Sequence, residues 1–488
     1  MIRSGGLALV LLIGALVSPV LADEKVVETG FQPEVKIQGP TRLSWEFAAA
    51  VLGTAEKLPG GYDSTKQRYQ LDIPRGYDPA KTWPLVVFVS PGDDPLGWRC
   101  WQKACEDNGL FFCAAYGAGN DCPPARRVRI VLDVLDDVRR RYSIDPEQTY
   151  ASGYGPGARV ACALAFALPE HFGGVVALAG HGTLPSLDYL RHRAADRLSV
   201  AVVVGADDPA RSETAEAFVP YLTDLGIRAR SWVVPRLGHA LPPGEVVEVA
   251  VRWLAEDLRR RRDDVRDRPG LAAKPREMLT DSVRAAKMVE VAEAELARAD
   301  RLLRGVALLE GVVARYGRTD AADKARALLV EIKKDDRRRA RLDEQRKEDD
   351  RNLRAATARR LERAGDVRGA QRAWGQLAQA HPGTDAATRA DAEVRRLTAV
   401  LAATPYLGLQ LDGDTTTVRS VTPTGPAEKA GLRRGDRLLS LDGMKCATPA
   451  ELRDALKKHK PGDKLDVEVR RDDRTLTLTL EVGRTPRE

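Results

Sequence analysis

The sequence predicts a multidomain protein. A mostly parallel sheet with helices on both faces comes first, an all-α region of helical hairpins follows, and a small α+β domain ends the chain. Three observations carry this. The chain has 488 residues, more than one ordinary core serves. Short apolar runs alternate with helical spacing over roughly Leu43 to Arg262, the pattern of strands crossed by helices. From Pro275 to about Ala402 the chain is rich in Ala, Arg, Glu and Leu with almost no β-branched runs, and from Tyr406 it returns to strands, Gly-bounded turns and one helix. The expected boundaries are 1–22 for a targeting segment, 40–262 for the sheet domain, 263–274 for a linker, 275–402 for the helices and 403–488 for the last domain.

The N-terminus reads as a signal peptide. Arg3 supplies a positive start, Leu7 to Val17 an apolar run, and Val20-Leu21-Ala22 the small residues before a cut after Ala22. The run is short for a bilayer span, so a periplasmic or secreted protein with no membrane span after cleavage is expected. In an exported chain six cysteines could pair. Cys113 and Cys162 lie in apolar stretches and read as buried thiols, Cys446 stands alone, and Cys100, Cys105 and Cys122 are the better disulfide candidates.

In the sheet domain the candidate strands are Tyr69–Ile73, Leu85–Val89, Phe111–Tyr116, Thr149–Gly153, Gly174–Leu178, Val200–Val204 and Ser231–Val234. Val131, Leu135 and Val138 give Val128 to Tyr142 a helical period. Arg259 to Pro275 is charged and contains Pro269-Gly270, which reads as a linker. Beyond it, two stretches share one plan. One runs from Leu308 through Tyr316-Gly-Arg-Thr-Asp and the other from Ala370 through His381-Pro-Gly-Thr-Asp, each a helix, a turn and a second helix. They resemble degenerate tetratricopeptide hairpins. The charged run Asp335 to Arg351 between them reads as a solvated connecting helix.

Thr149-Tyr-Ala-Ser-Gly-Tyr-Gly-Pro-Gly-Ala is laid out as a strand, a sharp turn and a helix start. A nucleophile elbow, G-x-S-x-G, has this layout and lifts a serine hydroxyl above the sheet. The five residues here are Gly153, Tyr154, Gly155, Pro156 and Gly157, so the flanking glycines are kept and the nucleophile position, Gly155, has no side chain. Ser152 falls inside the strand, and Tyr154 and Cys162 stand in the wrong places to replace it.

These residues resemble the polyhydroxybutyrate-depolymerase and feruloyl-esterase branch of the α/β-hydrolases over roughly Gln67 to Leu258. The likeness rests on Tyr69-Gln-Leu-Asp-Ile-Pro-Arg-Gly-Tyr-Asp, Pro84-Leu-Val-Val-Phe-Val, Tyr142-Ser-Ile-Asp-Pro-Glu-Gln-Thr-Tyr, the elbow, and Pro169-Glu-His-Phe-Gly-Gly-Val-Val-Ala-Leu-Ala-Gly. It implies an α/β-hydrolase fold. It also implies that the triad acid falls on Asp208, with Asp207 as the fallback, and the triad base on His239 of Leu237-Gly-His-Ala. The order elbow, Asp, His is the order of this fold. The family's His-Gly oxyanion turn is replaced by Ser90-Pro91-Gly92-Asp93-Asp94, where proline offers no N–H and two aspartates oppose a developing negative charge. His181 near a strand end reads as a surface-loop histidine.

The last domain resembles an HtrA-type PDZ domain. The residues that carry this are Tyr406-Leu407-Gly408-Leu409, the stretch from Val418 to Asp442-Gly443, the helix Pro449 to Lys458, and Leu465-Asp-Val-Glu-Val-Arg-Arg-Asp-Asp. The resemblance implies that Tyr406, Leu407, Gly408 and Leu409 offer backbone N–H groups to a peptide's C-terminal carboxylate, with the peptide added as a strand.

Basic residues number 77 and acidic ones 70, interspersed, for a net charge of +7, which argues against a nucleic-acid footprint. No cofactor or metal is expected. The partners expected are peptide or protein C-termini at the PDZ domain and a protein partner for the helical region. Two function classes follow: an exported interaction protein with an inactive, pseudo-esterase hydrolase shell, or an exported esterase or depolymerase with an atypical active site.

Overall fold

The computed structural model describes residues 27–53, 62–264, 280–413 and 415–484. The expected signal peptide and most of the expected linker lie outside these residues. Eight strands form the large sheet: β1 (Gly30–Lys36), β2 (Arg68–Ile73), β3 (Trp83–Val89), β4 (Phe111–Ala115), β5 (Ile144–Tyr154), β6 (Gly174–Leu178), β7 (Ser199–Gly205) and β8 (Arg228–Val234). Their order is β1-β2-β4-β3-β5-β6-β7-β8. From β4 to β8 every neighbouring pair is parallel, whereas β2 is antiparallel to both β1 and β4. Both faces are covered, as a parallel sheet requires. Leu85, Val87 and Val89 of β3 pack beneath the helices Pro124–Arg141 and Pro156–Ala167, while Val86 and Phe88 face Trp101 and Ala104 of Trp98–Asn108 and Val247 and Leu254 of Gly244–Asp264.

The sheet takes in more chain than the sequence pattern indicates. β1 falls before residue 40 and has no apolar run, Gly-Phe-Gln-Pro-Glu-Val-Lys, because an edge strand buries little. At the other end, helix Gly244–Asp264 runs straight through the charged residues from Arg259, so no linker begins there.

The expected disulfides do not form: all six cysteines are free. Cys100 and Cys105 lie in one helix with their side chains buried in the core, and burial pushes the Cys100 thiol up to about 12. A cysteine placed this way behaves as a small apolar side chain.

The two hairpins are Leu302–Arg315 with Asp320–Lys334 and Val367–Ala380 with Asp385–Ala403. Their turns are built alike: Thr319 and Thr384 cap the second helix through N–H donors of Ala322 and Ala387, at 3.3 and 3.2 Å. The 28-residue helix Asp336–Arg363 joins them, mostly exposed, with Leu342, Ala356 and Ala358 buried. The hairpins do not hang free. Tyr189 and Leu190 of the sheet domain lie inside the core of the first hairpin. Arg315 reaches Glu170 at 3.2 Å, with both side chains almost fully buried, and Arg191 pairs with Asp349. Arg359 and Arg363 both reach Asp224.

Residues from Pro405 onward form the small α+β domain. Leu409–Leu411 pairs with Val418–Val421, and Arg437–Leu441, Lys464–Arg471 and Arg474–Glu481 make an antiparallel sheet over a core that includes Leu432, Val467 and Leu480. Among the described residues no helix is long and apolar enough to cross a membrane.

Candidate functional site

β5 ends at Tyr154 and helix Pro156–Ala167 starts two residues later, so Gly155 alone makes the turn. Its φ and ψ of 52° and −117° lie in a region open mainly to glycine. Its N–H donates to the Leu178 carbonyl at 2.9 Å. A Cβ on Gly153 would stand 2.4 Å from the Gly157 backbone, so the elbow needs both flanking glycines to bring strand and helix this close. The tight strand-to-helix turn expected from the sequence is therefore present.

Two side chains converge on it. Asp208 follows β7, is 4% exposed, and accepts from the Ala210 N–H at 2.8 Å through Oδ1. Its Oδ2 faces His239 Nδ1 at 3.0 Å. Asp207 does not share this contact; its N–H holds the Leu237 carbonyl at 2.9 Å, which fixes the turn carrying His239. The Tyr154 hydroxyl donates to the His239 carbonyl at 2.8 Å, and the two rings lie 5.2 Å apart. The free edge of the imidazole points at the elbow: a Cβ on Gly155 would stand 3.3 Å from His239 Nε2. Asp208, His239 and Gly155 thus lie in one line of contact, and Gly155 has no side-chain atom to offer His239 Nε2.

The other expected residues fall as follows. Ser152 is fully buried and donates to the Val176 carbonyl at 2.7 Å, so it belongs to the strand. Cys162 is buried, and its thiol is pushed up to about 12. His181 is not a surface-loop histidine. Its side chain is 12% exposed, lies against Phe218 and pairs with Glu213 at 3.3 Å, and burial pulls its pKa down.

The loop after β3 is locked by its own hydrogen bonds. Arg127, buried, donates to the Ser90 carbonyl at 2.8 Å, and Asn120 N–H donates to the Pro91 carbonyl at 2.8 Å. The Asp93 carboxylate is occupied by the Gly119 N–H at 3.1 Å. Pro156 adds a deficit that sequence reasoning passed over. In an α/β-hydrolase elbow one oxyanion donor is the N–H of the residue after the nucleophile. That residue is Pro156 here, at the first position of the helix, and it has no N–H. A proline directly after the nucleophile position was the signal available in the sequence. Among the described residues no cluster of His, Cys, Asp or Glu is placed to hold a metal ion.

In the small domain, Tyr406 pairs with Gly483 and Leu409 with Val421, and Leu407-Gly408 form the turn between the two strands. Gly408 has φ of 77°, and a Cβ there would meet Pro426 Cδ at 3.0 Å. The Leu407 and Gly408 carbonyls accept from Ala427 and Thr422 at 2.8 Å each. Among the described residues no acceptor reaches the N–H of either residue. Among the described residues nothing pairs with the outer edge of Leu409–Leu411. Leu409 and Leu411 pack on the same core as Leu452 and Ala455 of helix Pro449–Leu456, which starts with a Thr448–Glu451 capping box.

The family profile of the PDZ domain matches residues 405–482, so the C-terminal unit is a PDZ domain. Among curated proteins, the serine endoprotease DegS of Escherichia coli (strain K12) is 35% identical over 69 residues, which is 14% of this chain and 19% of DegS. A probable periplasmic serine endoprotease, DegP-like, of Pseudomonas fulva (strain 12-X) is 41% identical over 69 residues, 14% of each chain. The chain thus spans less than a fifth of the curated relatives it matches. Among solved structures, an HtrA-type protease AlgW with decapeptide covers 20% of this chain and 36% of its own, at 22% identity and a TM-score of 0.18. The S-formylglutathione hydrolase FrmB of Staphylococcus aureus covers 40% and 91% at 11% identity and a TM-score of 0.33. A thermostable esterase covers 41% and 61% at 18% identity and a TM-score of 0.31.

Proposed function

We propose that this chain is an exported interaction protein of the periplasm or cell exterior, in which the PDZ domain binds peptide or protein C-termini and the sheet domain is a hydrolase shell without hydrolase activity. The observation that carries the second half is the pair Gly155-Pro156. It removes the nucleophile and one oxyanion donor at a place where Asp208 and His239 are otherwise held for catalysis. His239 has no hydroxyl to deprotonate. Peptide binding is supported by the unpaired N–H groups of Leu407 and Gly408 beside an open strand edge. A C-terminal carboxylate satisfies those donors, and the residues before it add as a strand. The affinity expected of so short a strand is micromolar, about 8 kcal/mol.

The test is turnover of short-chain activated esters by the purified chain. No saturable rate is expected. A rate that saturates with substrate and vanishes in His239→Ala would overturn the inactive reading and leave an esterase with an atypical site.

A further inference from the structure

We infer that the end of the large sheet away from the elbow carries a second binding site, a cleft between β1, β2 and helix Trp98–Asn108 that takes an alkylammonium group, its charge against Asp72 and its methylenes against aromatic side chains. The cleft has a volume of about 670 Å³. Asp72 is the next-to-last residue of β2 and pairs with Phe112 near the start of β4. Because β4 runs parallel to β3 and β5, this is the opposite end of the sheet from Gly155. Besides β2, three elements supply the walls. Phe31 of β1 stacks on Trp98 at 4.8 Å with 18° between the rings, and Trp83 lies at the start of β3. Cys105 and Glu106 come from the end of the helix.

Asp72 gives the cleft its chemistry. It is 8% exposed, lines the cavity, and among the described residues its carboxylate accepts no hydrogen bond and forms no ion pair. A carboxylate taken from water without a partner is unfavourable unless a cation joins it. The charged groups that face it are Glu106 and Arg75. Glu106 is exposed, holds Gln102 at 3.0 Å and repels Asp72, and Arg75 is exposed at the rim. Cys105, buried beside them, stays a neutral thiol. Two carboxylates and three aromatic side chains around one cavity suit a cation on an apolar stem, since aromatic surface accepts methylenes while a carboxylate holds the charge. A neutral sugar would leave Asp72 with only the exposed Arg75 at the rim as a counter-charge. Burial, with Glu106 adding to it, raises the Asp72 carboxyl to about 6, so the site holds its charge at neutral pH and loses it in mild acid.

The ammonium can belong to a free diamine or to a lysine side chain, and the probes separate the two. The purified chain is titrated calorimetrically with cadaverine, with acetyl-lysine methylamide, and with maltohexaose. Saturable binding of one or both amines is expected at pH 7.5. It should weaken about tenfold in Asp72→Asn, by a smaller factor in Glu106→Gln, and about tenfold in the wild type at pH 5. Binding of the blocked lysine assigns the site to side chains of a polypeptide, and binding of cadaverine alone assigns it to free diamines. Absence of amine binding, equal amine affinity in Asp72→Asn, or maltohexaose binding in place of the amines would overturn the assignment. If Asp72→Asn does not fold, unchanged affinity in Glu106→Gln overturns it equally.

Discussion

Two glycine turns, Gly155 and Gly408, show what separates a frame from a working site. Both residues have positive φ, 52° and 77°, and a Cβ would meet His239 Nε2 at the first and Pro426 at the second. Around Gly155 the polar groups, the free edge of the His239 ring apart, already have partners. Asp208 holds His239, Ser152 holds the Val176 carbonyl, and the Gly155 N–H holds Leu178. Around Gly408 two N–H groups are unmet. A satisfied polar group stabilises the fold, while an unsatisfied one is a standing offer to a ligand. On the proposed reading, the first turn has the geometry without a reagent and the second has both.

The strongest way to break this comparison is to give the elbow its chemistry back. Gly155→Ser places a hydroxyl near His239 Nε2, yet without an oxyanion donor at Pro156 it should show no more than marginal ester turnover. Adding Pro156→Ala supplies the N–H and should raise the rate by roughly 10²–10³-fold over the single variant. Steady-state kinetics with activated esters reads both. A single variant as fast as the double would mean that Pro156 matters little and that the elbow is closer to active than its backbone indicates.

The comparison extends to how each site is mounted. Glu170 is a fully paired group: Arg193 and Arg315 both reach it at 3.2 Å. Burial alone would push its carboxyl up, but Arg193, Arg315 and Arg197 outweigh this and hold it at about 2, below the usual 4.5. A lowered folded pKa means stability that is complete above 4.5 and lost as pH falls toward 2. Glu170→Gln leaves buried arginine charge unpaired and should destabilise the sheet domain and first hairpin together by about 3–5 kcal/mol. Urea unfolding at pH 7 measures it. A loss below 1 kcal/mol, or separate transitions for sheet and hairpin, would show that the two are not joined through this pair.

At the PDZ turn the expected effect is smaller. A peptide with a free C-terminus should bind at least about tenfold tighter than its amidated form, because each charged hydrogen bond contributes ~1.5–3 kcal/mol. Gly408→Ala should abolish the difference, since its Cβ meets Pro426. Titration of paired peptides decides; equal affinity of free and amidated forms would make the domain a packing module.

These features were unequally legible in the sequence. The elbow was readable because glycines at fixed spacing report backbone geometry, and the PDZ loop because its motif is contiguous. Strands β2 to β8 followed from apolar runs that a doubly covered sheet demands. β1 was not readable, since a polar edge strand has no apolar signature. Nor was the docking of the helices: Arg315 and Glu170 lie 145 residues apart, and neither looks unusual in its own segment. The same holds for Phe31, Asp72 and Trp98, which meet only after β1 and β2 pair. Pro156 was in plain view. Its meaning depended on asking what the residue after the nucleophile contributes, which concerns a backbone N–H rather than a side chain.

The smallest effect concerns the other unmet group. If an unpaired polar residue is held for a ligand, removing it should stabilise the free protein, the reverse of Glu170. Asp72 has its carboxyl raised from 3.8 to about 6. Between those values the folded state binds more protons than the unfolded one, so stability falls as pH rises through this window, and the full penalty is present above it. Asp72→Asn should therefore be more stable than wild type at pH 7 and gain nothing below pH 4. The gain should be about 1 kcal/mol, less than the shift alone implies at ~1.4 kcal/mol per unit, because the cleft is open to water. Thermal melts of both proteins across this pH range test it. A variant that is less stable at pH 7 would mean that Asp72 is bound into the fold like Glu170, and that the contrast between met and unmet groups fails in the sheet domain.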